Sequence, residues 1–259
     1  MTFHYNNQIR YLTFNNLSAL KVNHAVFSRH GGVSPWPWES LNLGGTVGDD
    51  PRNVLENRNR AFRAINKDYD LVFDVWQVHS DKVICTDAPR RQNEPHQKAD
   101  AILTNQIGVV LFMRFADCVP ILLFDPVKRV IGLVHAGWQG TVKKIVESAV
   151  FIMKEKYYSQ AEDMVAAIGP SIGPDHYVVG LDVADQVKRA FQDDSNSLLL
   201  QQNGVIHMDL WKANWLLLKH SGVQNIEIAS ICTACNKDDW YSHREEHGKT
   251  GRFGVLIGL

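Results

Sequence analysis

Three residues of metal-ligating type stand beside separate apolar segments of the sequence. Cys118 comes soon after the apolar run 108–113. His135 comes directly after the run 130–134, and His79 precedes another strand-like segment. If these runs are strands of one sheet, the side chains emerge at neighbouring ends. One thiolate and two imidazoles suit zinc, and three protein ligands leave a fourth position open, as in catalytic zinc sites.

Residue types alone leave structural interpretations of the same residues open. Cys118 fits a small buried apolar residue, since free cysteine is often fully buried. His135 fits a side chain that hydrogen-bonds the backbone at a strand end, and His79 fits a turn. A third interpretation is a cysteine hydrolase, in which Cys118 is the nucleophile and His135 the base that activates it.

A second possible metal or redox site is the Cys-x-x-Cys pair Cys232 and Cys235. Such a pair is either redox-active or one half of a zinc site. His243 and His247 are candidates for the other half. The alternative is a reduced thiol pair in a turn without a helix, which the short spacing favours.

The elements that must position these residues follow from the hydrophobic pattern. Compact apolar runs predict buried strands over 83–85, 108–113, 121–124, 130–134, 165–168, 226–228 and 253–257. Helical periodicity predicts a helix from Thr141 to Met153 and a shorter one over 182–191. Asp50 and Pro51 begin a further helix, with proline at its first position.

Another helix begins after Asp209, which is a good N-cap residue, and ends near Gly222. No linker divides the chain, and residues 87–98 are polar, which predicts an exposed loop. The sequence therefore predicts an α+β fold: a single mixed α/β domain over residues 1–259, with a layered β core flanked by helices.

Composition excludes several classes of protein. The chain has 259 residues, 45% of them hydrophobic and 21% charged, as in ordinary globular proteins. Its formal charge of -1 lacks the basic excess of a nucleic-acid binder. Four cysteines are too few for a disulfide scaffold, and no apolar run approaches the length of a membrane span. We expect a reduced, cytoplasmic protein with no nucleic-acid or membrane partner.

Several short segments resemble, in the same order, the signature segments of the YfiH-type family, which is named after multicopper polyphenol oxidases and laccases. The family includes bacterial purine nucleoside phosphorylases and the catalytic domain of laccase domain-containing protein 1. The similar segments are 28–34 (SRHGGVS), 41–43 (LNL), Asn53, 77–79 (QVH), 116–120 (ADCVP), 135–138 (HAGW), 167–170 (AIGP) and 242–244 (SHR).

The resemblance implies a YfiH/CNF1-like fold and a zinc ion bound by His79, Cys118 and His135. It also implies phosphorolysis of purine nucleosides, adenosine deamination and methylthioadenosine phosphorolysis in one pocket, with purine nucleosides and phosphate as partners. Some relatives have been assigned a role in peptidoglycan editing, which is an alternative function. The laccase interpretation is disfavoured, because the chain has no His-x-His pair of the kind that holds several coppers.

The matching segments also supply the predicted site residues. Arg29 and His30 precede two glycines, which permit close backbone approach, so we expect them to hold phosphate or a ribose-bearing ligand. Asp117, beside Cys118, is a candidate proton carrier. The predicted catalytic residues are Cys118, Asp117 and Arg29, and the predicted substrate-binding residues are Ser28, Arg29, His30, Asn42 and Gln77.

Overall fold

The computed structural model describes residues 1–91 and 93–259. Residue 92 lies outside the described residues, within the loop predicted over 87–98. Residues 93–98 of that loop are exposed, as predicted. None of the helices over the described residues is long and apolar enough to cross a membrane.

Strands and α-helices are interspersed along the chain, with six successive strands from residue 72 to residue 136. The strands are β1 (Thr2–Asn6), β2 (Ile9–Thr13), β3 (Asn23–Phe27), β4 (Val72–Asp74), β5 (Val83–Cys85), β6 (Ala101–Thr104), β7 (Val110–Phe115), β8 (Val119–Asp125), β9 (Val130–Ala136), β10 (Val165–Ile168), β11 (Val178–Val179), β12 (Leu199–Gln202), β13 (Val205–Met208), β14 (Asn225–Ile228) and β15 (Phe253–Gly258). The α-helices are α1 (Asn15–Ala19), α2 (Pro51–Ala64), α3 (Trp138–Val142), α4 (Ile145–Tyr157), α5 (Leu181–Phe191) and α6 (Leu210–His220).

Two six-stranded sheets form the centre of the molecule. The first has the order β1-β2-β3-β15-β7-β4, and the second has the order β14-β10-β8-β9-β6-β5. Both are mostly antiparallel, and the parallel pairs β4–β7, β10–β14 and β5–β6 lie at sheet edges. A small third sheet has the order β11-β13-β12.

The two large sheets pack face to face, and helices cover their outer faces. Side chains of β7 and β15 share one buried core with side chains of β8 and β9. The other face of the second sheet packs against α4 and α6, and the other face of the first sheet packs against α2. The predicted α+β class, with a layered β core flanked by helices, is confirmed.

The predicted helices are confirmed, with one correction. Asp50 caps α2 through a hydrogen bond from the amide of Arg52, and Asp209 caps α6 through the amide of Lys212. The predicted single helix 141–153 is wrong, because Lys144 adopts a left-handed conformation, φ 63°, that separates α3 from α4. Apolar periodicity does not register such a break, since the residues that cause it face solvent.

The chain crosses between the two large sheets at two places that matter for function. Strand β7 belongs to the first sheet and β8 to the second, so residues 116–118 form one crossing. Strand β4 belongs to the first sheet and β5 to the second, so residues 75–82 form another. Cys118 and His79 lie on these crossings.

The end of β4 carries a buried carboxylate, Asp74, whose side chain is 1% exposed. It accepts hydrogen bonds from Arg90 Nε at 2.7 Å, Arg114 Nη1 at 2.5 Å and His96 Nε2 at 3.0 Å. Burial opposes ionisation, but His96, Arg114 and Arg90 together outweigh it and hold the pKa of Asp74 well below its usual range.

We expect Asp74→Asn to change the pH dependence of stability. The folded-state pKa of Asp74 lies below its unfolded value of about 4. The carboxylate therefore stabilises the fold above about pH 4, and this contribution declines by up to ~1.4 kcal/mol per pH unit below it. The variant should be less stable near neutral pH by ~3–5 kcal/mol, since it leaves two buried guanidinium groups unpaired.

Urea unfolding midpoints at several pH values measure this effect. The gap in unfolding free energy between wild type and Asp74→Asn should narrow as the pH falls below about 4. The exposed Asp238→Asn is the matched control and should follow the wild-type curve. A gap that stays constant over the whole acid range would show that Asp74 is not the group responsible.

Candidate metal centre and substrate cleft

The structure brings His79, Cys118 and His135 together. One ligand atom from each lies within 4.8 Å of the others, and Cys118 Sγ lies 3.7 Å from His79 Nε2. His135 is buried, Cys118 is half-buried and His79 is exposed. In strand register, His135 is opposite Pro120, so β8 and β9 place Cys118 beside it. The three donors therefore form a cluster that could hold a metal ion, open on the side of His79.

A fully buried carboxylate, Asp100, organises this cluster from behind. Asp100 Oδ1 accepts from His135 Nδ1 at 2.9 Å and from the amide of His79 at 3.0 Å. Its Oδ2 accepts from the amide and the hydroxyl of Ser80, at 2.6 Å and 2.7 Å. Histidines that bind metals commonly donate their second ring N–H to a carboxylate in this way. Asp100 thus leaves His135 Nε2 for the cluster.

The cluster also changes the acidity of its members. Burial opposes ionisation of Cys118, but the charge and hydrogen bond of His135, with those of His79, lower the pKa of the thiol to about 6. The pKa of His135 is raised to about 9, because Cys118 and Asp100 outweigh the effect of burial. Each group therefore favours the charged form of the other, a thiolate beside an imidazolium.

Backbone conformation at the crossings is unusual. His79 has φ 58° and Asp117, next to Cys118, has φ 80°. Non-glycine residues rarely adopt this left-handed region, and such residues concentrate at functional sites. Gly137 is needed for space, because a Cβ there would lie 2.9 Å from Cys118 Sγ and 3.0 Å from His79 Cδ2.

The cluster lies between two pockets. The larger is a cleft of about 480 Å³, within the usual range for small-molecule sites. The smaller, of about 180 Å³, lies on the other side of His79 and Cys118, next to Asp117 and Tyr177. Besides the three donors, the cleft is lined by Gly44, Gly45, Thr46, Arg58, Trp76, Gln77, His96, Arg114, Ala116, His243 and Arg252.

Two of the cleft arginines, Arg58 and Arg252, form no ion pair with a carboxylate within residues 1–91 and 93–259. Arg58 donates to the carbonyl of Leu43 and to Tyr69 Oη. Arg252 Nη1 donates to carbonyls, and its Nη2 lies 3.4 Å from His243 Nδ1. Burial lowers the pKa of both guanidinium groups. Two desolvated cations without carboxylate partners make the cleft favourable for an anion.

The predicted anion-binding residues Arg29 and His30 line a different pocket, together with Lys237 and Glu246. Arg29 donates to the carbonyls of Glu39 and Lys237 and pairs with Glu246 at 3.1 Å. His30 Nε2 lies 2.9 Å from Asp239. The structure does not bring these two residues to the metal-ligating cluster, and their role in catalysis and substrate binding stays a prediction.

Asp117 faces away from the large cleft and braces the loop that carries Cys118. Its Oδ1 accepts from Thr233 Oγ1 at 2.6 Å, and its Oδ2 accepts from the amide of Arg244 at 2.6 Å. Both carboxylate oxygens are thus engaged within the protein. The arrangement fits a positioning residue, and the prediction that Asp117 carries a proton stays untested.

The other predicted substrate-binding residues have mainly structural contacts. Ser28 is buried, and its hydroxyl donates to the carbonyl of Arg10. Asn42 is buried, and its Oδ1 accepts from the amides of Gly44 and Arg252, so it shapes the cleft from behind. Gln77 lines the cleft, but its side-chain amide pairs with the backbone of Arg114. Their contact with substrate stays a prediction.

Sequence reasoning missed four residues of this site. Asp100, Arg58, Arg252 and Trp76 all contribute to the cleft or its support. A single acidic residue directly before the buried segment 101–104 is the signal that marks Asp100 in the sequence. The arginines have no comparable signal, since only the sheet order brings Arg252, before β15, next to residues from β4 and β7.

The fold is shared with known proteins. Residues 23–259 match the family model described as multi-copper polyphenol oxidoreductase laccase, so the chain belongs to that family. The structure is similar to those of YfiH from Bacillus licheniformis, with a TM-score of 0.91 and 31% identity, and YlmD from Geobacillus stearothermophilus, with a TM-score of 0.92 and 30% identity. Each comparison covers 99% of this chain and 98% of the other.

Curated relatives carry the name of an activity. A protein named purine nucleoside phosphorylase from Deinococcus radiodurans is 39% identical over 93% of this chain and 90% of its own length. Purine nucleoside phosphorylase YlmD from Bacillus subtilis is 36% identical over 90% of this chain and 86% of its own length. The family resemblance seen in the sequence is therefore confirmed.

We expect Asp100→Asn to weaken the binding of added zinc at the cluster by about 10–100-fold, as changes to the groups that hydrogen-bond metal-bound histidines typically do. The side-chain amide of asparagine is neutral, so it accepts a weaker hydrogen bond from His135 Nδ1 than the carboxylate does. Competition with a chromophoric zinc indicator measures the affinity. Ser80→Ala removes one hydrogen bond to Asp100 but leaves the bond between Asp100 and His135 in place. Its zinc affinity should therefore fall less than that of Asp100→Asn. Equal affinities for wild type and Asp100→Asn would remove Asp100 from the site.

Proposed function

We propose that the chain is a zinc-dependent purine nucleoside phosphorylase that also deaminates adenosine and cleaves methylthioadenosine with phosphate. The observation that carries this proposal is the convergence of His79, Cys118 and His135 on a cleft that also contains two unpaired guanidinium groups. A metal-ligating cluster beside an anion site suits a reaction in which phosphate is a substrate. The names of the curated relatives support the purine nucleoside phosphorylase activity, and the family resemblance in the sequence supports the other two reactions.

The donor set fits zinc. Cys118 supplies sulfur and the two histidines supply nitrogen, both ligand types that zinc accepts. Asp100 fixes the orientation of the His135 ring. A zinc ion bound by three protein ligands supplies Lewis acidity and an open coordination position. His79, Cys118 and His135 are the residues that would hold it.

Phosphorolysis requires a held phosphate. A phosphate oxygen attacks C1′ of the ribose, the bond from C1′ to the purine nitrogen breaks, and the purine leaves with the bonding electrons. In our proposal Arg252 and Arg58 hold the phosphate, since guanidinium groups form forked, charge-assisted hydrogen bonds to such anions. Arg114 lines the same cleft, but its ion pair with Asp74 makes it less available.

The departing purine requires a surface and a proton. Trp76 lines the cleft and is 48% exposed, and we assign it as the ring on which the base stacks. Partial burial, together with the nearby Arg252, lowers the pKa of His243, so its ring is neutral at pH 7. With Arg252 donating to Nδ1, the ring hydrogen lies on Nε2, which can donate a hydrogen bond to the departing purine nitrogen, while the attacking hydrogen phosphate supplies the proton.

A second candidate function is a cysteine hydrolase. Cys118, His135 and Asp100 follow one another in contact, in the order of a nucleophile, its base and the carboxylate that orients the base. The two functions differ in the state of the thiol. A thiolate bound to zinc is protected from alkylation, whereas a nucleophilic thiolate reacts rapidly.

The purified protein, assayed with inosine, adenosine and methylthioadenosine, tests the proposal. We expect release of free purine only when phosphate is present, and release of ammonia from adenosine without phosphate. A chelator should abolish both activities and expose Cys118 to alkylation, and added zinc should reverse both effects. Because Cys232 and Cys235 also react, the label must be located by peptide mass.

Two outcomes would contradict the proposal. Rapid alkylation of Cys118 in an active, metal-free preparation would favour the cysteine hydrolase. Absence of turnover on every nucleoside by zinc-loaded protein would favour a role without nucleoside chemistry, such as peptidoglycan editing. Cys85→Ser is the matched thiol control, since Cys85 lies outside the cluster and should leave the Cys118 labelling pattern unchanged.

We expect Arg252→Ala to raise the phosphate KM or lower kcat for phosphorolysis by about tenfold or more, since a charge-assisted hydrogen bond contributes ~1.5–3 kcal/mol. Phosphate-independent deamination should change less. Steady-state kinetics at varied phosphate measures both.

Arg29→Ala provides the comparison that decides between the two proposed anion sites. The cleft geometry predicts a larger loss for Arg252→Ala, whereas the sequence motif predicts a loss for Arg29→Ala. The exposed Arg52→Ala is the charge control. If Arg29→Ala loses more phosphorolysis activity than Arg252→Ala, phosphate is bound by Arg29 and not by the arginines of the cleft.

A further inference from the structure

Four more metal-ligating side chains converge at a second place, away from the proposed catalytic cleft. Asp175, His176, Cys232 and Cys235 each offer one ligand atom, and these atoms all lie within 4.8 Å of one another. Cys235 Sγ lies 3.4 Å from His176 Nδ1 and 3.0 Å from Asp175 Oδ2. Cys232 Sγ lies 3.8 Å from the same His176 nitrogen. The predicted partners of the cysteine pair, His243 and His247, are not members of this group.

The cluster joins two loops that are distant in sequence. Asp175 and His176 lie in the loop between β10 and β11, and the cysteines follow β14. The backbones of these loops pair directly, since Ser171 forms a parallel bridge with Cys232 and the amide of Thr233 donates to the carbonyl of Ser171. Backbone pairing fixes where the four side chains meet, so their convergence does not depend on flexible surface contacts.

The backbone around Cys232 is arranged to support a thiolate. Cys232 is 6% exposed, and its sulfur accepts a hydrogen bond from the amide of Gly173 at 3.2 Å. A Cβ at Gly173 would lie 2.5 Å from Asp175 Oδ1 and 3.1 Å from Cys232 Cβ. Only glycine therefore lets the two loops approach closely enough to bring the carboxylate and the sulfur together.

We propose that Asp175, His176, Cys232 and Cys235 bind a structural zinc ion. Two sulfurs, one imidazole nitrogen and one carboxylate oxygen are all zinc ligands, and four protein ligands complete the tetrahedral coordination typical of structural sites. The contrast with the first cluster is chemical: three donors at His79, Cys118 and His135 leave a coordination position open, and four donors here leave none.

The position of this site gives it a structural purpose. Thr233, between the two cysteines, donates to Asp117 Oδ1 at 2.6 Å, and the amide of Ile172 donates to the carbonyl of Asp117 at 3.0 Å. The two loops that the ion would join thus hold Asp117 from its side chain and from its backbone. Asp117 adjoins Cys118. The second ion would therefore stabilise the crossing, residues 116–118, that positions Cys118 for the first ion.

A redox pair is the competing interpretation of Cys232 and Cys235. A disulfide needs only the two sulfurs, and it would leave His176 and Asp175 without a function in the cluster. The convergence of all four donor atoms favours the metal ion. Cys232 is buried and Cys235 is exposed, so a disulfide remains chemically accessible and must be tested directly.

Elemental analysis of the Cys118→Ala variant of the full chain tests the proposal, because this background removes a ligand of the first cluster. After gel filtration we expect about one zinc ion per chain to remain. Adding Cys235→Ser should remove it, whereas adding Cys85→Ser, a thiol outside both clusters, should retain it. Circular dichroism confirms that each variant is folded.

Cobalt titration of chelator-treated wild-type protein provides a second readout that does not depend on substitution. A site with two thiolates should give sulfur-to-cobalt charge-transfer absorption that persists in Cys118→Ala and is lost in the double variant Cys118→Ala/Cys235→Ser, which lacks a sulfur ligand of each cluster. Folded Cys118→Ala protein that binds neither zinc nor cobalt would overturn the proposal. A Cys232–Cys235 disulfide in metal-free protein purified without reductant would overturn it in favour of a redox pair.

Discussion

The carboxylate of Asp100 connects the segments on which the metal-ligating cluster depends. It is fully buried, and it accepts hydrogen bonds from the His135 ring, from the amides of Val78, His79 and Ser80, and from the Ser80 hydroxyl. These contacts outweigh the cost of burial and lower the pKa of Asp100 to about 2. Burial of this charge is tolerable only while both segments are in place. The interaction therefore couples the conformation of the His79 loop to the orientation of His135.

The architecture explains why the cluster lies where it does. A chain that passes from one packed sheet to the other must leave regular strand geometry, and it does so at residues 75–82 and 116–118. Two donors lie on these crossings and the third, His135, lies on β9. Side chains from the two packed sheets meet at these crossings, where the chain does not follow the regular side-chain alternation of a strand. The positive φ values of His79 and Asp117 belong to the same departure from strand geometry.

Patterns that are local in sequence predicted the fold well. Apolar runs identified β7, β8, β9 and β15, because each is buried on both faces between layers. Strands β1, β2, β11, β12 and β13 were not predicted, since their side chains are partly exposed and lack a continuous apolar run. Strands β3, β4 and β6 were also not predicted, although their side chains are mostly buried. The break between α3 and α4 was not predicted either, because Lys143 and Lys144 face solvent and do not alter the apolar periodicity.

The functional site was predicted less completely from the sequence than the fold was. Residue types and spacing left zinc, a buried thiol and a hydrolase open for Cys118, and the family resemblance was needed to choose among them. The candidate pairing of Cys232 and Cys235 with His243 and His247, which the sequence disfavoured, is not seen, because proximity in sequence does not determine which loops meet. The sheet register brings Asp175 and His176 instead. The pairing of β15 with β7, not any motif, places Arg252 in the cleft.

The position of β15 has a consequence for how the molecule is assembled during synthesis. This strand lies between β3 and β7, so the first sheet stays divided until residues 253–258 have left the ribosome. The strands of the second sheet all lie within residues 83–228 and can pair earlier. The donors His79, Cys118 and His135 are then available well before Arg252, which directly precedes β15. A nascent chain can thus bring together the donors of the proposed metal site before Arg252 joins the cleft.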